Sequence, residues 1–157
     1  MLTDRDMMLY ALSIGLASDP LNETELVYAF EKTLQPFATM PLIIGHPGNW
    51  MIDPQTGITR TMVVHGSQRL WSFAPLPLGK TITSTNKITQ LIDKGDKGAI
   101  MTIVRETIDK ESGTLLSRGE SGVFCRADGN FGGSDDVAYS FAATPDRAPD
   151  HSVDMPT

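Results

Sequence analysis

The sequence predicts an α+β fold in which one amino-terminal helix packs against a long, curved antiparallel sheet. Near the amino terminus, apolar residues recur at helical spacing. From residue 62 onward, four segments rich in Thr, Ile and Val are separated by turns rich in Gly, Pro and charged residues. A chain of 157 residues with 40% apolar residues is long enough to bury one core, so one compact domain is expected.

The predicted helix begins at Thr3. Asp6 follows three residues later, which is the spacing of a helix N-cap. The apolar positions that recur after it are Met7, Tyr10, Ala11 and Ile14. Gly15 then predicts the end of the helix.

The part of the chain between this helix and the sheet is predicted to contain only short elements. Residues 26–30 form a short apolar stretch. In residues 40–45, Pro41 and Gly45 keep any helix short, because proline and glycine interrupt helical backbone. Residues 45–60 are predicted to be loop.

Four consecutive strands are predicted, at residues 62–74, 81–93, 98–109 and 114–127. Residues 99–104 of the third strand are apolar on both faces, which predicts that this strand is buried from both sides. Because short turns join the strands, the expected arrangement is an antiparallel meander.

Domain boundaries follow from these elements. Residues 1–143 are predicted to form the single domain. Residues 144–157 contain Pro145, Pro149 and Pro156 among charged residues, so they are expected to form an extended connector without a core of its own.

Composition excludes several classes of partner. A net charge of −6 and a pI near 4.9 argue against nucleic acid, whose binding is driven by Lys and Arg. No apolar run approaches the ~20 residues that span a bilayer, and the amino terminus lacks the pattern of a signal peptide. Cys125 is the single cysteine, so no internal disulfide forms. We therefore expect a cytoplasmic protein without a membrane partner.

His65 and Gly66 lie within the first predicted strand and have two interpretations. They are a satisfied core histidine beside a glycine that forms a bulge, or they form a ligand site. In a ligand site, Gly66 lets a ligand approach the backbone and His65 offers a hydrogen bond near neutral pH. The residues alone leave both interpretations open.

Lys94 lies in the sequence Asp93-Lys94-Gly95-Asp96-Lys97-Gly98. This pattern is first of all typical of a hairpin turn, in which glycines supply positive φ and the charges face solvent. The two lysines are also a concentrated positive spot in an acidic protein, and such a spot attracts a polyanionic ligand. The phosphates of coenzyme A are one candidate.

Catalytic and metal-binding motifs are not apparent. The three histidines have no ligand spacing and Cys125 stands alone, so no metal site is predicted. No Gly-x-Ser-x-Gly elbow is present. Glu106 and Glu120 lie on predicted strands without an evident partner. The chain ends at Thr157 without a convincing set of catalytic acids and bases.

Several segments together resemble one family in their order and spacing. They are Arg5 to Gly15, Val64-His65-Gly66-Ser67-Gln68, Pro75-Leu76-Pro77, Asp93-Lys94-Gly95 and Gly129-Asn130-Phe131-Gly132-Gly133. This ordered set resembles the amino-terminal half of the MaoC-like, (R)-specific enoyl-CoA hydratases of the hydratase-2 type.

The resemblance implies a hot-dog fold, which is a long antiparallel sheet wrapped around a helix. Here that helix is expected to be degraded into residues 38–52. The amino-terminal half of such an enzyme accommodates the acyl chain and part of coenzyme A. The positions that match substrate-contacting residues of the family are His65, Gly66 and Lys94. A coenzyme A thioester is the implied substrate, and no cofactor is expected.

The resemblance also implies that a second hot-dog half is needed. The catalytic half of the family carries a Gly-Asp-x-Asn-Pro-x-His motif, which is absent from this sequence. We therefore expect the acyl-CoA-binding half of an enoyl-CoA hydratase, in a dimer or larger assembly, with no catalytic residue of its own and little activity alone. Two alternatives remain open: a non-catalytic acyl-CoA-binding or structural subunit, and a hot-dog thioesterase.

Overall fold

A computed structural model of the chain describes residues 1–133 and 143–154. Two helices precede four strands: α1 (Asp4–Ser13), α2 (Glu23–Leu26), β1 (Val63–Ser72), β2 (Ile82–Asp93), β3 (Ala99–Asp109) and β4 (Leu115–Cys125). The strands form one antiparallel sheet in the order β1-β4-β3-β2. The predicted α+β class is confirmed.

Helix α1 begins with the predicted cap. The Thr3 hydroxyl accepts a hydrogen bond from the Asp6 backbone N–H at 3.3 Å, and the Asp6 carboxylate accepts one from the Thr3 N–H at 2.9 Å. These reciprocal bonds satisfy two N–H groups that the first turn of a helix leaves unpaired. Past the helix end at Ser13, Gly15 takes a φ of +87°. Both predicted helix boundaries are confirmed.

The four predicted strands are confirmed to within two residues at every end. Strand β3 lies inside the sheet, and each of its residues is buried or half-buried, as its two apolar faces predicted. The strand positions could be predicted because they depend on local sequence: β-branched residues favour strands, and Gly and Pro mark where each strand ends.

The predicted meander is wrong for the first strand. Strands β2, β3 and β4 follow one another as hairpins, but β1 pairs with β4 at the far edge from β2. Residues 73–81 make this crossing, since nine extended residues reach ~30 Å and three strand spacings are only about 14 Å. The Gly79 N–H donates to the Leu2 carbonyl and the Leu2 N–H donates to the Lys80 carbonyl, both at 3.0 Å. The amino terminus therefore pairs with this crossing segment.

One face of the sheet, here called the inner face, is covered by residues 40–58. This segment contains single-turn 3-10 helices, among them Met40–Leu42 and Trp50–Ile52, in place of one long helix. Residues 45–60, which were predicted to be loop, contain the single-turn 3-10 helices Trp50–Ile52 and Pro54–Thr56, and loop joins these turns. The broken segment matches the expectation that the central helix is degraded.

Arg105 fastens this segment to the sheet. Its guanidinium donates to the carbonyls of Leu42 at 2.7 Å and Ile44 at 3.3 Å, and to the Asn86 side chain at 2.8 Å. The Asn86 amide in turn donates to the Gly45 carbonyl at 3.1 Å. Burial lowers the pKa of Arg105. These side chains satisfy carbonyls that a regular helix would have paired internally.

Two groups of buried apolar residues form the core. The first joins α1 to the crossing segment and the end of the sheet: Leu2, Met7, Leu34, Met40, Leu76 and Leu116. The second lies on the inner face of β3 and β4: Ala99, Met101, Val123 and Cys125. Trp50, Met51 and Ile58 pack against the second group. The inner face is thus covered, although by short and irregular pieces.

In the described residues, 1–133 and 143–154, no helix has the length and apolar character needed to cross a bilayer.

Replacing Gly98 by Ala should destabilise the protein more than replacing Gly113 by Ala. Both glycines have positive φ in hairpin turns, which costs about 1 kcal/mol for alanine at Gly113. Gly98, at φ +101° and ψ −148°, lies in a region that is adopted almost only by glycine, where the cost is about 1–3 kcal/mol. A Cβ on Gly98 would also lie 2.3 Å from the Cys125 carbonyl oxygen, whereas Gly113 faces open space. The overlap should add about 1–3 kcal/mol to the loss of unfolding free energy, measured by urea denaturation. Equal losses in the two variants would contradict this packing.

Candidate functional site

A groove of about 440 Å³ opens on the inner face of the sheet. Its floor and walls are apolar and come from β2, β3, β4 and the covering segment, with Phe131 from the Gly129-Asn130-Phe131-Gly132-Gly133 loop at its rim. The apolar side chains that line it are Trp50, Ile58, Ile88, Leu91, Ala99, Met101, Cys125 and Phe131. A volume of this size and such a lining are typical of small-molecule sites.

The groove continues past Trp50. A second cavity of about 310 Å³ shares Trp50 and Ile88 with the first and is also lined by Pro47 and Ile103. The two cavities follow strand β2, where a regular central helix is missing. Together they form an elongated apolar surface that suits an extended hydrocarbon chain better than a compact polar ligand.

His65 and Gly66 lie on edge strand β1. Gly66 is the extra residue of a β-bulge between His65 and Ser67, and a Cβ there would lie 3.2 Å from the Gly122 carbonyl oxygen. The bulge interpretation is confirmed, but the core-histidine interpretation is wrong, because His65 is exposed. His65, Val123, Met101 and Leu91 are successive partners across the four strands. His65 therefore shares the face of the sheet that carries the groove.

Lys94 lies in the β2–β3 turn at the opposite edge of the sheet. Its N–H donates to the Gly98 carbonyl at 2.8 Å, so the hairpin-turn interpretation is confirmed. Three strand spacings separate β1 from β2, or about 14 Å. The structure therefore does not bring His65 and Gly66 together with Lys94. The groove lies between them.

Asp93 joins two motifs that are far apart in sequence. One carboxylate oxygen accepts the N–H groups of Gly95 and Asn130, both at 2.8 Å, and the other accepts the N–H of Gly132 at 2.7 Å. The turn with Lys94 and the loop with Phe131 are thus held by one side chain. Asp93 is buried, with 8% of its surface exposed.

The ionisation of Asp93 reflects this environment. Burial raises the pKa of the carboxyl, but the backbone N–H groups of Asn130, Gly95, Gly132 and Phe131 lower it by more, and the net pKa lies below its ordinary value. Asp93 is therefore a charged acceptor at neutral pH. It is not a proton donor poised for chemistry.

The other ionisable groups near the groove are also engaged. Asp128 at the rim accepts the Thr59 N–H at 3.0 Å. Burial, followed by the charge of Asp128, raises the pKa of the Cys125 thiol, so this cysteine stays protonated and is a poor nucleophile. Among the residues described around the groove, no histidine–carboxylate pair stands ready for acid–base work.

Glu106 and Glu120 lie on the face of the sheet opposite the groove, because they alternate with the inner-face residues of their strands. Glu106 lies 3.9 Å from Arg118, and Glu120 lies 3.9 Å from Arg69. Each glutamate thus faces a cation, and neither is placed to activate water in the groove.

Three features agree with one known family: the apolar groove, the broken covering segment, and the motifs Asp93-Lys94-Gly95 and Gly129-Asn130-Phe131-Gly132-Gly133. The sequence profile of the family described as "MFE-2 hydratase 2 N-terminal domain" matches residues 1–127. The chain belongs to the MFE-2 hydratase 2 N-terminal domain family.

Two curated proteins are similar to this chain in sequence, and one solved structure is similar to it in fold. Enoyl-CoA hydratase ChsH3 of Mycobacterium tuberculosis is 33% identical over 165 residues, covering 98% of this chain and 54% of the relative. The 3-hydroxyacyl-thioester dehydratase Y of the same organism is 30% identical, covering 99% and 53%. The MaoC-like dehydratase from Phytophthora capsici superposes with a TM-score of 0.73 at 25% identity, covering 95% and 52%. The predicted hot-dog fold is confirmed.

The hydratase 2 domain spans about half the length of the curated relatives that it matches. The resemblance that the sequence motifs indicated is confirmed, and the chain falls within the enoyl-CoA hydratase and 3-hydroxyacyl-thioester dehydratase family.

Sequence reasoning missed the residues that line the groove. Trp50, Leu91 and Met101 carry no signal that separates a ligand-facing apolar residue from a core residue. Asp93 was part of a recognised motif, but its spacing suggested only a turn. Its contacts to Asn130 and Gly132 became visible only when the two loops were placed side by side.

The stability contributed by Asp93 should depend on pH. Because folding lowers the pKa of Asp93, its contribution is fully present above the ordinary value of 3.8 and is lost as pH falls through the folded-state value. Asp93→Asn should therefore be less stable than the wild type by a constant amount at neutral pH. That difference should shrink below about pH 4.

Urea unfolding at a series of pH values measures this difference, with Glu31→Gln, an exposed position, as the control for loss of one negative charge. A difference between wild type and Asp93→Asn that stays constant down to about pH 2 would contradict the assigned hydrogen bonds.

Proposed function

We propose that this chain is the acyl-CoA-binding half of an enoyl-CoA hydratase, or 3-hydroxyacyl-CoA dehydratase. The reaction is the reversible addition of water to a trans-2-enoyl-CoA to give an (R)-3-hydroxyacyl-CoA. A second hot-dog half supplies the catalytic Asp and His. The observation that carries the proposal is the apolar groove, which lies between the edge with His65 and the turn with Lys94.

The groove suits the acyl group. Its lining offers aliphatic and aromatic surface with few polar atoms, and burial of apolar surface contributes roughly 25 cal/mol per Å². Its continuation past Trp50 leaves room for a long chain. The missing central helix is the reason for this room, because the short turns of residues 40–58 fill the inner face only in part.

Three residues are proposed to contact the substrate. Gly66 lets the ligand approach the backbone at the bulge, and His65 offers a hydrogen bond on the groove face. Lys94 attracts the phosphates of coenzyme A, which carry the negative charge of the ligand. A coenzyme A thioester is extended, so one molecule can reach from the groove to the Lys94 turn.

The catalytic groups are proposed to come from elsewhere. The Gly-Asp-x-Asn-Pro-x-His motif is absent from these 157 residues. In the described part of the chain, the carboxylates nearest the groove are bound to backbone N–H groups. Acid–base hydration needs a positioned proton donor and acceptor. The proposed assembly is therefore a dimer or larger, in which the second half faces this groove.

The domain boundary and the location are part of the same proposal. Residues 143–154 are exposed and contain no helix or strand, and Arg147 and Asp150 form an ion pair within them. This supports a connector that begins near residue 144. The cytoplasm is the proposed location, since the single cysteine needs no oxidising compartment.

The site bears differently on the two rival functions. A thioesterase needs a carboxylate that activates water beside the thioester, but Glu106 and Glu120 lie on the opposite face beside arginines. A subunit that only stabilises a partner would not need an open apolar groove of about 440 Å³. A non-catalytic acyl-CoA-binding subunit would use the same groove, so turnover decides between it and the hydratase half.

A hydration assay separates the three functions. The chain is tested alone and together with a hot-dog half that carries the Gly-Asp-x-Asn-Pro-x-His motif, using crotonyl-CoA and a longer enoyl-CoA. We expect loss of the enoyl absorbance only in the mixture, and faster loss with the longer chain. Hydration by the isolated chain would overturn the division of roles. Release of free coenzyme A would indicate a thioesterase, and binding without turnover in the mixture would indicate a non-catalytic acyl-CoA-binding or structural subunit.

Lys94→Ala should weaken binding of coenzyme A about fivefold, the effect of losing about 1 kcal/mol from one partly exposed charge contact. The dependence of affinity on salt should also decrease, because fewer ions are exchanged on binding. Calorimetric titration at several salt concentrations measures both. Lys110→Ala is the matched control, because it removes the same charge from the exposed turn at the other end of the sheet. An unchanged affinity in Lys94→Ala would remove Lys94 from the site.

A further inference from the structure

We propose that Asp93 is a positioning residue of this site, because its carboxylate holds the turn that carries Lys94 and the loop that carries Phe131 in one fixed arrangement. This inference rests on the proposed function, in which Lys94 contacts the coenzyme A phosphates and Phe131 borders the acyl groove. Asp93 itself touches neither part of the ligand. It acts through its two neighbouring loops.

The hydrogen bonds of Asp93 divide between the two loops. Gly95 donates from within the turn, one residue beyond Lys94. Asn130 and Gly132 donate from the loop, and they are the residues on either side of Phe131. Phe131 is 48% exposed, so about half of its surface makes no contact that would fix its position. Its place at the rim therefore depends on the backbone that Asp93 holds.

The backbone of both loops is shaped for this carboxylate. The three N–H groups that lie within 2.8 Å of the Asp93 carboxylate belong to residues with positive φ: +58° at Gly95, +65° at Asn130 and +80° at Gly132. Such φ values turn successive N–H groups toward a common point, where an anion is bound. A Cβ on Gly129 would lie 2.0 Å from the Gly95 carbonyl oxygen, so the two loops are in direct backbone contact.

A second bond crosses the same boundary. Asp96 lies in the turn, and its carboxylate accepts a hydrogen bond from the Asn130 side-chain amide at 3.0 Å. The loops are thus joined by Asp93 from the buried side and by Asp96 from the exposed side. One oxygen of Asp93 accepts from both loops and the other accepts from the Gly132 N–H. An amide in its place would direct an N–H group against at least one of these backbone donors and would break that bond.

Asp109 provides the matched comparison. It also ends a strand and accepts backbone N–H groups, from Glu111 at 2.8 Å and Ser112 at 3.4 Å. Both donors lie in its own turn, at the far end of the sheet from Lys94. Asp109 therefore anchors a hairpin without joining two loops. Asp93→Asn and Asp109→Asn remove similar anchors, but only the first lies beside the proposed ligand.

The experiment measures dissociation constants by calorimetry with three probes: octanoyl-CoA, coenzyme A without an acyl group, and S-octanoyl-pantetheine without the nucleotide. Asp93→Asn should weaken octanoyl-CoA binding about tenfold, the scale of losing a charged hydrogen-bond acceptor. Asp109→Asn should bind all three probes as the wild type does. Circular dichroism verifies that each variant is folded.

Double variants test whether Asp93 acts through its neighbours. In a Lys94→Ala background, Asp93→Asn should no longer weaken binding of coenzyme A. In a Phe131→Ala background, it should no longer weaken binding of S-octanoyl-pantetheine. Such non-additivity is the expected result for residues that act as one unit, and an anchor that only stabilises the fold would not produce it.

A loop variant covers the case in which Asp93→Asn fails to fold. Asn130→Val places a β-branched residue at a φ of +65° and should distort the loop, and binding of octanoyl-CoA should weaken as in Asp93→Asn. Asn130→Gly accepts this φ and should recover most of the lost affinity. Equal affinity in the valine and glycine variants would overturn the inference.

The outcomes distinguish the inference from the function on which it rests. A wild-type chain that binds none of the probes removes the proposed function, and the inference with it. A wild-type chain that binds octanoyl-CoA, with Asp93→Asn binding equally well or losing the same factor in every background, overturns the positioning role alone.

Discussion

The covering of the inner face without a long helix is the constraint on which this structure depends. A helix would satisfy its own backbone and fill the concave side of the sheet. Here residues 40–58 do so in single turns, and the carbonyls that they leave unpaired must find other donors. Arg105 and Asn86 supply these donors from the sheet. The segment is thus held in place at a few points, and the space between those points is the groove.

The same constraint explains how binding and chemistry are divided in the proposed assembly. An apolar groove binds substrate and transition state nearly alike, so by itself it concentrates and orients the thioester without accelerating its hydration. Acceleration requires groups that act on the developing charge, and the carboxylates described near the groove are engaged with backbone N–H groups. In the proposed assembly, a half that binds and a half that reacts would each be incomplete, and the pair would form the complete enzyme.

The parts of the fold that could be predicted from the sequence depend on neighbours along the chain. The Thr3–Asp6 cap, the four strands and the breaks between them are set by spacing and by backbone preference. Strand order could not be predicted, because the pairing of β1 with β4 depends on residues about fifty positions apart. The groove was hidden for a different reason: Trp50 and Met101 look like core residues until the missing helix exposes them. Asp93 looked like an ordinary turn residue, since its distant donors carry no sequence signal.

The crossing segment between β1 and β2 also bears on the order in which the molecule folds. Hairpins β2–β3 and β3–β4 close short loops, whereas the pairing of β1 with β4 closes a loop that contains both β2 and β3. Closing a longer loop costs more entropy. We therefore expect the three-stranded unit to assemble first and the strand that carries His65 to join last. Until it does, the edge of β4 is an open template for pairing with another chain. In the living cell, the newly made protein would be most prone to aggregate during this interval.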